Sequence, residues 1–302
     1  MPRVTVVTAA YNAAPYITET IESVLSQTFT DFDYIVVDDG SSDATPEIIA
    51  RYASRITSIR QPNAGEGAAR NRGFELASGE YIAIVDADDV WAPEKLERQV
   101  AAMDAHPEAG LCYTNGCSIR ADGSVLEVSL APPHPRLTCL RAMTGRNPIV
   151  TSSVMYRRQF LEKQPYSNLA VGADFHVHLK VLWRSGEHSV FVDEPLVSYR
   201  VVDTSVLRRT DAWERGRLTL KAVMTFLGDM RAEKPVPVRV ARRGIAFSRF
   251  MWAWCCIDAR TRYRFALGQL VRAVLGDPTL AWRASRQVVK LVRNALCPAP
   301  RS

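Results

Sequence analysis

The sequence predicts an α/β fold with a mostly parallel sheet, followed by a basic helical region. Over the first hundred residues, short apolar runs rich in Val and Ile alternate with longer segments whose apolar residues recur at helical spacing. Acidic residues directly follow two of the apolar runs, and beyond Thr204 the pattern changes to long helical segments containing Arg, Trp and Phe. Alternation of strand and helix indicates βαβ units, whose strands run parallel.

The individual elements follow from this periodicity. Before residue 106 the pattern predicts strands over residues 4–8, 34–37, 56–60 and 81–85, and helices over 17–25, from 45 onward, over 67–77 and over 93–105. Farther along, it predicts strands over 150–156, 190–192 and 196–201, and a helix over 174–183. Ligands of parallel sheets bind beyond the carboxyl ends of the strands, so the residues that follow the strands are candidate site residues.

Composition and charge divide the chain into two parts. Of its 302 residues, 47% are apolar and 23% are charged, which excludes a disordered chain or a disulfide miniprotein. Residues 1–204 carry 18 Lys and Arg against 26 Asp and Glu, a net charge of −8. Residues 205–302 carry 20 against 6, a net charge of +14, so the total of +6 is a cancellation. We expect two domains with different partners, 1–204 and 205–302.

Cysteine usage and hydropathy predict a cytoplasmic protein. The six cysteines show neither a CxxC pair nor zinc-ligand spacing, so reduced thiols are expected. The apolar run after Met1 is too short for a signal peptide. The longest apolar stretch, 244–259, is interrupted by Arg249 and Asp258, so no transmembrane helix is predicted. Peripheral attachment to the inner face of the membrane is the alternative location.

Two acidic clusters follow predicted strands. Asp86 and Asp88 lie one residue apart, and carboxylate oxygens are ligands that Mg²⁺ and Mn²⁺ prefer. The alternative for this pair is a solvated acidic turn that caps the next helix. Asp38 and Asp39 end the second strand, where a carboxylate can accept from a nucleobase N–H or a ribose hydroxyl. Capping of the next helix explains Ser42 or Asp43, but not the adjacent pair.

Five segments together resemble the family 2 inverting glycosyltransferases, which have a GT-A fold. They occur in the family's order and spacing: VTVVTAAYN (4–12), SVLSQTF (23–29), YIVVDDGSSD (34–43), NAGEGAARNRG (63–73) and YIAIVDADDVW (81–91). The close resemblance covers residues 1 to about 110, and a looser one continues to about 204. It implies a GT-A catalytic domain over 1–204, a nucleotide-sugar donor that is most often a UDP-sugar, and Mn²⁺ or Mg²⁺ as the cation.

The resemblance also implies roles for individual residues. Asp39 would contact the base of the donor, and the segment around Tyr11 would line the nucleotide site. Arg70 would lie near the base or a phosphate. Asp86 and Asp88 would form the DxD metal pair, with Asp88 as the direct ligand and Asp86 nearer the ribose. A divalent cation there would stabilise the charge of the leaving diphosphate.

A further segment of the resemblance supplies the catalytic base. Asp174 follows Gly172-Ala173 at the start of a predicted helix and matches the family's Asp that deprotonates the acceptor hydroxyl. The alternative is an acidic residue that complements the helix dipole. Two positions depart from the family pattern, because Ala173 replaces a Glu and Val202 replaces a His that approaches the metal or diphosphate in some members. Arg200 or a water could compensate for the missing His.

These features predict a metal-dependent inverting glycosyltransferase. It would move a sugar to an acceptor hydroxyl during synthesis of a polysaccharide or a lipid-linked glycan of the cell envelope. One alternative is transfer onto a polyprenyl phosphate, an acceptor that is already an anion and needs no base. A second alternative is a non-catalytic scaffold that binds nucleotide sugars, suggested by Ala173 and Val202.

The basic region, 205–302, predicts a different partner. One segment, 281–296, combines Arg and Lys with an apolar face formed by Trp282, Val288, Val289, Leu291 and Val292. A basic helix of this kind suits an anionic membrane surface. The alternative is a helical subdomain packed on the acidic body. Nucleic acid is not expected as a partner, since no recognised binding module accompanies the charge.

Overall fold

The chain forms two compact units. The computed structural model describes residues 1–130, 137–144, 148–167, 172–202, 210–259 and 262–296. The N-terminal unit comprises Met1–Thr138 and Pro148–Val202, and the C-terminal unit comprises Cys139–Asn147 and Asp203–Ser302. The boundary that the sequence predicts, between residues 204 and 205, lies outside the described residues.

A single sheet organises the described N-terminal unit. Its strands are β1 (Val4–Ala10), β2 (Phe32–Asp38), β3 (Thr57–Arg60), β4 (Tyr81–Ile84), β5 (Val90–Trp91), β6 (Leu111–Ile119), β7 (Val125–Glu127), β8 (Val154–Arg157) and β9 (Ser189–Arg200). The helices of the described chain are α1 (Ile17–Leu25), α2 (Thr45–Ala50), α3 (Glu66–Leu76), α4 (Lys95–Ala105), α5 (Cys139–Thr144), α6 (Ala173–Arg184), α7 (Ala212–Glu233), α8 (Val238–Asp258), α9 (Tyr263–Gly276) and α10 (Ala281–Leu296).

The sheet is parallel in its first half and mixed in its second. The strand order is β3-β2-β1-β4-β8-β6-β9-β5, with β7 paired to β6. Strands β1 to β4 pair in parallel, which confirms the βαβ organisation predicted from the first hundred residues. Strand β8 is antiparallel to both β4 and β6, whereas β6 and β9 are parallel. The carboxyl ends of β1, β2 and β4 therefore lie side by side.

Two later elements differ from the sequence prediction. The predicted strand over 150–156 begins only at Val154, because Thr151–Ser153 form a turn of 3₁₀ helix. The two strands predicted over 190–192 and 196–201 are one strand, β9. Its pairing with β6 shifts register around Pro195, where proline has no N–H to donate to the ladder.

Alternate residues of the central strands pack on opposite faces of the sheet. Tyr34 and Val36 belong to the large apolar cluster that includes residues of α1 and α4. Ile35 packs on the other face with Ala69 of α3. Gly73 permits the close approach of α3 to β1, since a Cβ there would lie 2.4 Å from Cγ1 of Val7. This contact holds α3 against that face of the sheet.

The C-terminal unit is helical where it is described. Aromatic residues form much of its core: the rings of Trp213 and Trp252 lie 5.6 Å apart, and those of Trp252 and Phe265 lie 4.6 Å apart. Helix α5 packs on α8, where a Cβ at Gly244 would lie 2.7 Å from Sδ of Met143. None of the described helices is both long and apolar enough to cross a membrane.

The apolar residues of α10 do not form the single face that the sequence predicts. Val288 and Leu291 pack against the core of the C-terminal unit. Trp282 and Val289, seven residues apart, are instead 65% and 69% exposed. The side chain of Val292 lies outside the described residues. Helix α10 therefore has one apolar side in the core and a second apolar side in solvent.

Lys95 is a buried cation that forms no ion pair with the described residues. Lys95 is fully buried, donates to Oε1 of Gln99 at 2.5 Å, and lies 3.8 Å from the centre of the Trp91 ring. Burial lowers the pKa of Lys95 from 10.5 to about 7. Below pH 7, folding carries the full cost of burying this charge, and that cost disappears as the pH rises toward 10.5.

We predict that Lys95→Met removes part of the pH dependence of stability. The free energy of unfolding of the wild type should rise relative to that of the variant between about pH 7 and about pH 10, because only the unfolded wild type holds the extra proton there. Chemical denaturation over this range measures the difference. Lys163→Met, at an exposed position, is the control. Parallel pH curves for wild type and Lys95→Met would contradict the assignment.

Candidate active site

The loops that follow β1 and β2 are joined by hydrogen bonds. The Asn12 side chain accepts from the Ser42 N–H at 2.8 Å, and the Asn12 N–H donates to Oγ of Ser41 at 2.9 Å. Asn12 adopts a positive φ of 49°, a conformation that Asn tolerates better than most residues. The preceding Tyr11 is 53% exposed. This arrangement leaves an aromatic ring available in solvent at the edge of the strand ends.

Asp38 and Asp39 are both buried and have separate roles. Asp38 accepts from the Ser41 N–H at 3.1 Å and pairs with Arg60 at 3.2 Å, so it stabilises the turn after β2. The Asp39 carboxylate accepts from the N–H groups of Ala64 and Gly65, at 3.0 and 2.8 Å, and also from Gln61. Asp39 therefore fixes the loop that leads into α3.

Arg70 lies at the centre of the site. Its side chain is 3% exposed, and one guanidinium nitrogen donates to Oδ1 of Asp174 at 2.6 Å. The other terminal nitrogen donates to Oδ1 of Asp86 at 2.5 Å and also bonds Glu66. The guanidinium carbon lies 5.3 Å from the centre of the Tyr166 ring. One cation thus connects a residue after β4 with a residue in the first turn of α6.

The charge of Arg70 controls the ionisation of Asp174. Burial by itself raises the pKa of the Asp174 carboxyl, but the adjacent Arg70 guanidinium opposes this effect. The net result is an Asp174 pKa below its ordinary value. Asp174 is therefore an ionised carboxylate at neutral pH, the state in which it can accept a proton.

The acidic loop after β4 is held by two residues distant in sequence. Oγ of Ser152 accepts from the Asp86 N–H at 3.0 Å and donates to the buried Asp89 at 2.5 Å. The Arg200 guanidinium donates to the Asp88 carbonyl at 2.8 Å, and the Arg200 N–H donates to Oδ1 of Asp89 at 2.8 Å. Since Arg200 also bonds Glu19 at 2.5 Å, its guanidinium is committed to organising this loop.

The carboxylates of Asp86 and Asp88 are suited to binding a divalent cation that also binds phosphate oxygens of a ligand. Burial, followed by the charge of Asp86, raises the pKa of Asp88 from 3.8 to about 6. Burial is also the first cause of the raised pKa of Asp86. Within the described part of the chain, no three side chains form a metal-binding group. Two carboxylates with excess negative charge match Mg²⁺ or Mn²⁺, which commonly take one or two carboxylates plus phosphate oxygens.

The structure brings some of the predicted residues together and separates others. Asp86, Arg70 and Asp174 form one ionic cluster, and Asp88 follows in the same loop. Asp39 lies in a second group, around the loop before α3, and the exposed Tyr11 makes no hydrogen bond through its side chain to the described residues.

Sequence reasoning missed three contributors to the site: Glu66, Ser152 and Tyr166. Glu66 lies within the motif NAGEGAARNRG, four residues before Arg70, and this helical spacing was a usable signal. Ser152 and Tyr166 reach the site only through the tertiary fold, so no local pattern indicates them.

Comparison with known proteins identifies the family and the fold. The fold is the GT-A type found in glycosyltransferases. A family model described as "Glycosyl transferase family 2" matches residues 5–164, more than half of the chain. The chain therefore belongs to glycosyltransferase family 2 and is a transferase enzyme. This confirms the family resemblance and the fold class predicted from the sequence.

Two curated relatives are named for polysaccharide synthesis. TuaG of Bacillus subtilis, provisionally named a teichuronic acid biosynthesis glycosyltransferase, is 31% identical over 223 residues, covering 72% of this chain and 86% of TuaG. The succinoglycan biosynthesis protein ExoO of Rhizobium meliloti is 34% identical over 216 residues, which are 66% of this chain and 60% of ExoO.

Solved structures share the fold at low sequence identity. S. aureus TarS 1–349, in complex with UDP-GlcNAc, superposes with a TM-score of 0.71 at 19% identity and covers 97% of this chain and 89% of that one. The mannosyltransferase PcManGT of Pyrobaculum calidifontis, in complex with GDP-Man and Mn²⁺, has a TM-score of 0.61 at 20% identity. It covers 99% of this chain and 88% of that one.

We predict that Asp39→Asn loosens the loop before α3. An amide has one acceptor oxygen, so at least one of the N–H groups of Ala64 and Gly65 loses its partner. The free energy of unfolding should fall by about 1–3 kcal/mol, measured by chemical denaturation. Asp31→Asn, at an exposed position, should stay within about 0.5 kcal/mol of wild type. Equal stability of the two variants would show that Asp39 does not anchor the loop.

Proposed function

We propose that the protein is a metal-dependent inverting glycosyltransferase that uses a nucleotide-diphosphate sugar, with a UDP-sugar as the favoured donor. The sugar moves to an acceptor hydroxyl during synthesis of a polysaccharide or a lipid-linked glycan. The observation that carries this proposal is the cluster in which Arg70 bonds both Asp86 and Asp174. It supports a donor site and a base within reach of one another at the carboxyl ends of the strands.

Asp174 is the proposed catalytic base. Its carboxylate takes the proton of the acceptor hydroxyl while that oxygen bonds to the anomeric carbon of the sugar. The bond between the anomeric carbon and the diphosphate oxygen breaks on the opposite side, and its electron pair leaves with the nucleotide diphosphate. Because attack and departure occur on opposite faces, the anomeric configuration inverts. The lowered pKa of Asp174 keeps it in the required ionised state before attack.

Asp86 and Asp88 are the proposed holders of Mn²⁺ or Mg²⁺. The cation, when bound, stabilises the negative charge of the departing diphosphate. The bonds from Ser152 and Arg200 keep the backbone of this loop in place. Of the two carboxylates, Asp88 forms no ion pair in the described residues, which suits a direct ligand, whereas Asp86 is partly occupied by Arg70.

The nucleotide site is proposed to lie at the ends of β1 and β2. The exposed ring of Tyr11 provides a surface on which a base can stack. From the described residues, Oδ2 of Asp39 accepts one hydrogen bond, from Gly65, so this oxygen retains capacity for a base N–H. Arg70, four residues after Glu66 on α3, bonds Asp86 in the loop after β4. It is therefore close enough to that loop to contribute to phosphate binding.

The acceptor side is proposed from the relatives and from the charge distribution. TuaG and ExoO are named for polysaccharide synthesis, which supports a role in the cell envelope. We also propose a cytoplasmic location with the basic region, 205–302, at an anionic membrane surface. This location would place the catalytic unit near a lipid-linked acceptor. No nucleic-acid partner is proposed.

Turnover separates the proposal from its alternatives. Nucleotide release from a panel of UDP- and GDP-sugars, with Mn²⁺ and candidate acceptors, should reveal transfer or slow donor hydrolysis. Donor binding with neither activity would favour the non-catalytic scaffold suggested by Ala173 and Val202. Transfer to a polyprenyl phosphate that does not need Asp174 would favour the other alternative.

We predict that Asp174→Asn lowers kcat by about 100-fold or more, the usual contribution of a positioned base. The donor dissociation constant, measured by calorimetry, should change by less than about tenfold. Glu47→Gln is the matched control, because Glu47 is an exposed acid in the first turn of α2. Equal kcat values for Asp174→Asn and Glu47→Gln would assign Asp174 to the helix dipole alone.

A further inference from the structure

The C-terminal unit contains an arginine-lined groove that the catalytic proposal does not use. It lies between the first turns of α8 and the connection from α9 to α10, with a volume of about 430 Å³. An adjoining cavity of about 230 Å³ shares three of its residues and adds Arg283. The residues that line the main groove are Val238, Arg239, Arg242, Arg243, Gly276, Asp277, Pro278 and Thr279.

The positive charge of the groove is only partly neutralised. Among the described residues that line it, Asp277 is the one acid, and it accepts from Nε of Arg243 at 3.1 Å and from the Thr279 N–H at 3.1 Å. These contacts, against the effect of burial, lower the pKa of Asp277, so it is ionised and fixes Arg243 in place. Arg239 and Arg242 are exposed, and neither forms an ion pair with a described residue. Within the described part of the chain, the groove therefore presents two guanidinium groups without an anionic partner.

Exposed apolar residues lie in the groove and next to it in the sequence. Val238, which lines the groove, is 73% exposed, and Leu275, which precedes the lining residue Gly276, is 72% exposed. Leu275 ends a stripe on α9 that includes Leu267 and Val271 at spacings of four residues, all of them exposed. Trp282, just after the groove, is exposed and stacks with Arg286, whose guanidinium carbon lies 4.3 Å from the ring centre.

We propose that this groove docks the C-terminal unit on an anionic lipid bilayer, with lipid phosphate groups bound by Arg239 and Arg242. A planar guanidinium group can donate two parallel hydrogen bonds to two oxygens of one phosphate. Val238 and Leu275 enter the boundary between headgroups and acyl chains, and the exposed Trp282 adds an aromatic residue of the kind favoured at that boundary.

The exposed apolar residues favour a bilayer over other anionic partners. Nucleic acid and soluble phosphates could pair with the arginines, but they have no apolar surface on which Val238 and Leu275 could be buried. A bilayer surface satisfies both, and the charge of +14 over residues 205–302 adds attraction to anionic lipids. The inference specifies the contact residues of the membrane association proposed above, and it does not depend on sugar transfer.

Vesicle flotation of the full chain tests the groove directly. Wild type should bind vesicles of phosphatidylcholine with phosphatidylglycerol, and not vesicles of phosphatidylcholine alone. The pair Arg239→Gln and Arg242→Gln should bind about 25-fold more weakly, from about 1 kcal/mol for each arginine near the surface. The pair Arg51→Gln and Arg231→Gln removes the same charge at exposed positions outside the groove, and it should lose far less affinity.

The role of the apolar residues is tested with Leu275→Ser, which should also weaken vesicle binding. Val125→Ser, at an exposed position on β7, is the control and should leave vesicle binding unchanged. Equal loss in both arginine pairs, or wild-type binding by Leu275→Ser, would overturn the proposal. Strong retention of single-stranded DNA by wild type that only the groove arginines affect would favour a nucleic-acid site instead. Circular dichroism of each variant reports folding, and nucleotide release with the donor and acceptor panel, without vesicles, reports the proposed catalysis. Absence of both transfer and hydrolysis in a folded protein that binds vesicles would reject the catalytic proposal alone.

Discussion

A single buried guanidinium, that of Arg70, determines how the rest of the site is arranged. Asp86, Asp174 and Glu66 converge on it, and they come from the loop after β4, from α6 and from α3. Asp86 and Asp174 are partly buried whereas Glu66 is exposed, and the three carboxylates would repel one another without this cation. Removing one partner of a buried charge pair leaves the other uncompensated, so the cluster holds the three elements in one arrangement.

The fold supplies the conditions under which Arg70 can occupy this position. Gly73, three residues later on α3, allows the helix to pack tightly against Val7 of β1. Asp39 fixes the loop that begins the same helix by accepting from the N–H groups of Ala64 and Gly65. The helix is thus constrained at its start and along its length, and Arg70 lies between these two points.

Much of the N-terminal unit could be predicted from the sequence because its information is local. Apolar runs mark β1, β2 and β4, and the acidic residues after two of them mark the site edge. The roles assigned to Tyr11, Asp39, Arg70, Asp86, Asp88 and Asp174 remain proposals. Local pattern could not reveal that Asp86 and Asp174 share Arg70, because 88 residues separate them and only the tertiary fold joins them.

The C-terminal unit shows the opposite limit of sequence reasoning. Its charge predicts a partner of its own. The sequence also predicts that the apolar residues of α10 share one face, but Val288 packs against the core and Trp282 is exposed. Apolar periodicity does not distinguish residues that cover a core from residues that face solvent when both occur on one helix. The groove lined by Arg239 and Gly276 likewise involves two helices and a connection, so it becomes visible only in three dimensions.

The most direct test of the central claim is the steady-state kinetics of Arg70→Lys beside Glu66→Gln. Lysine keeps the charge but lacks the planar fork that reaches several carboxylates, so kcat/KM for the donor should fall by about 100-fold or more. Glu66→Gln removes the partner on the same helix but leaves Asp86 and Asp174 joined, and it should retain activity within about tenfold. Wild-type kcat/KM in a folded Arg70→Lys enzyme would contradict the central role of Arg70.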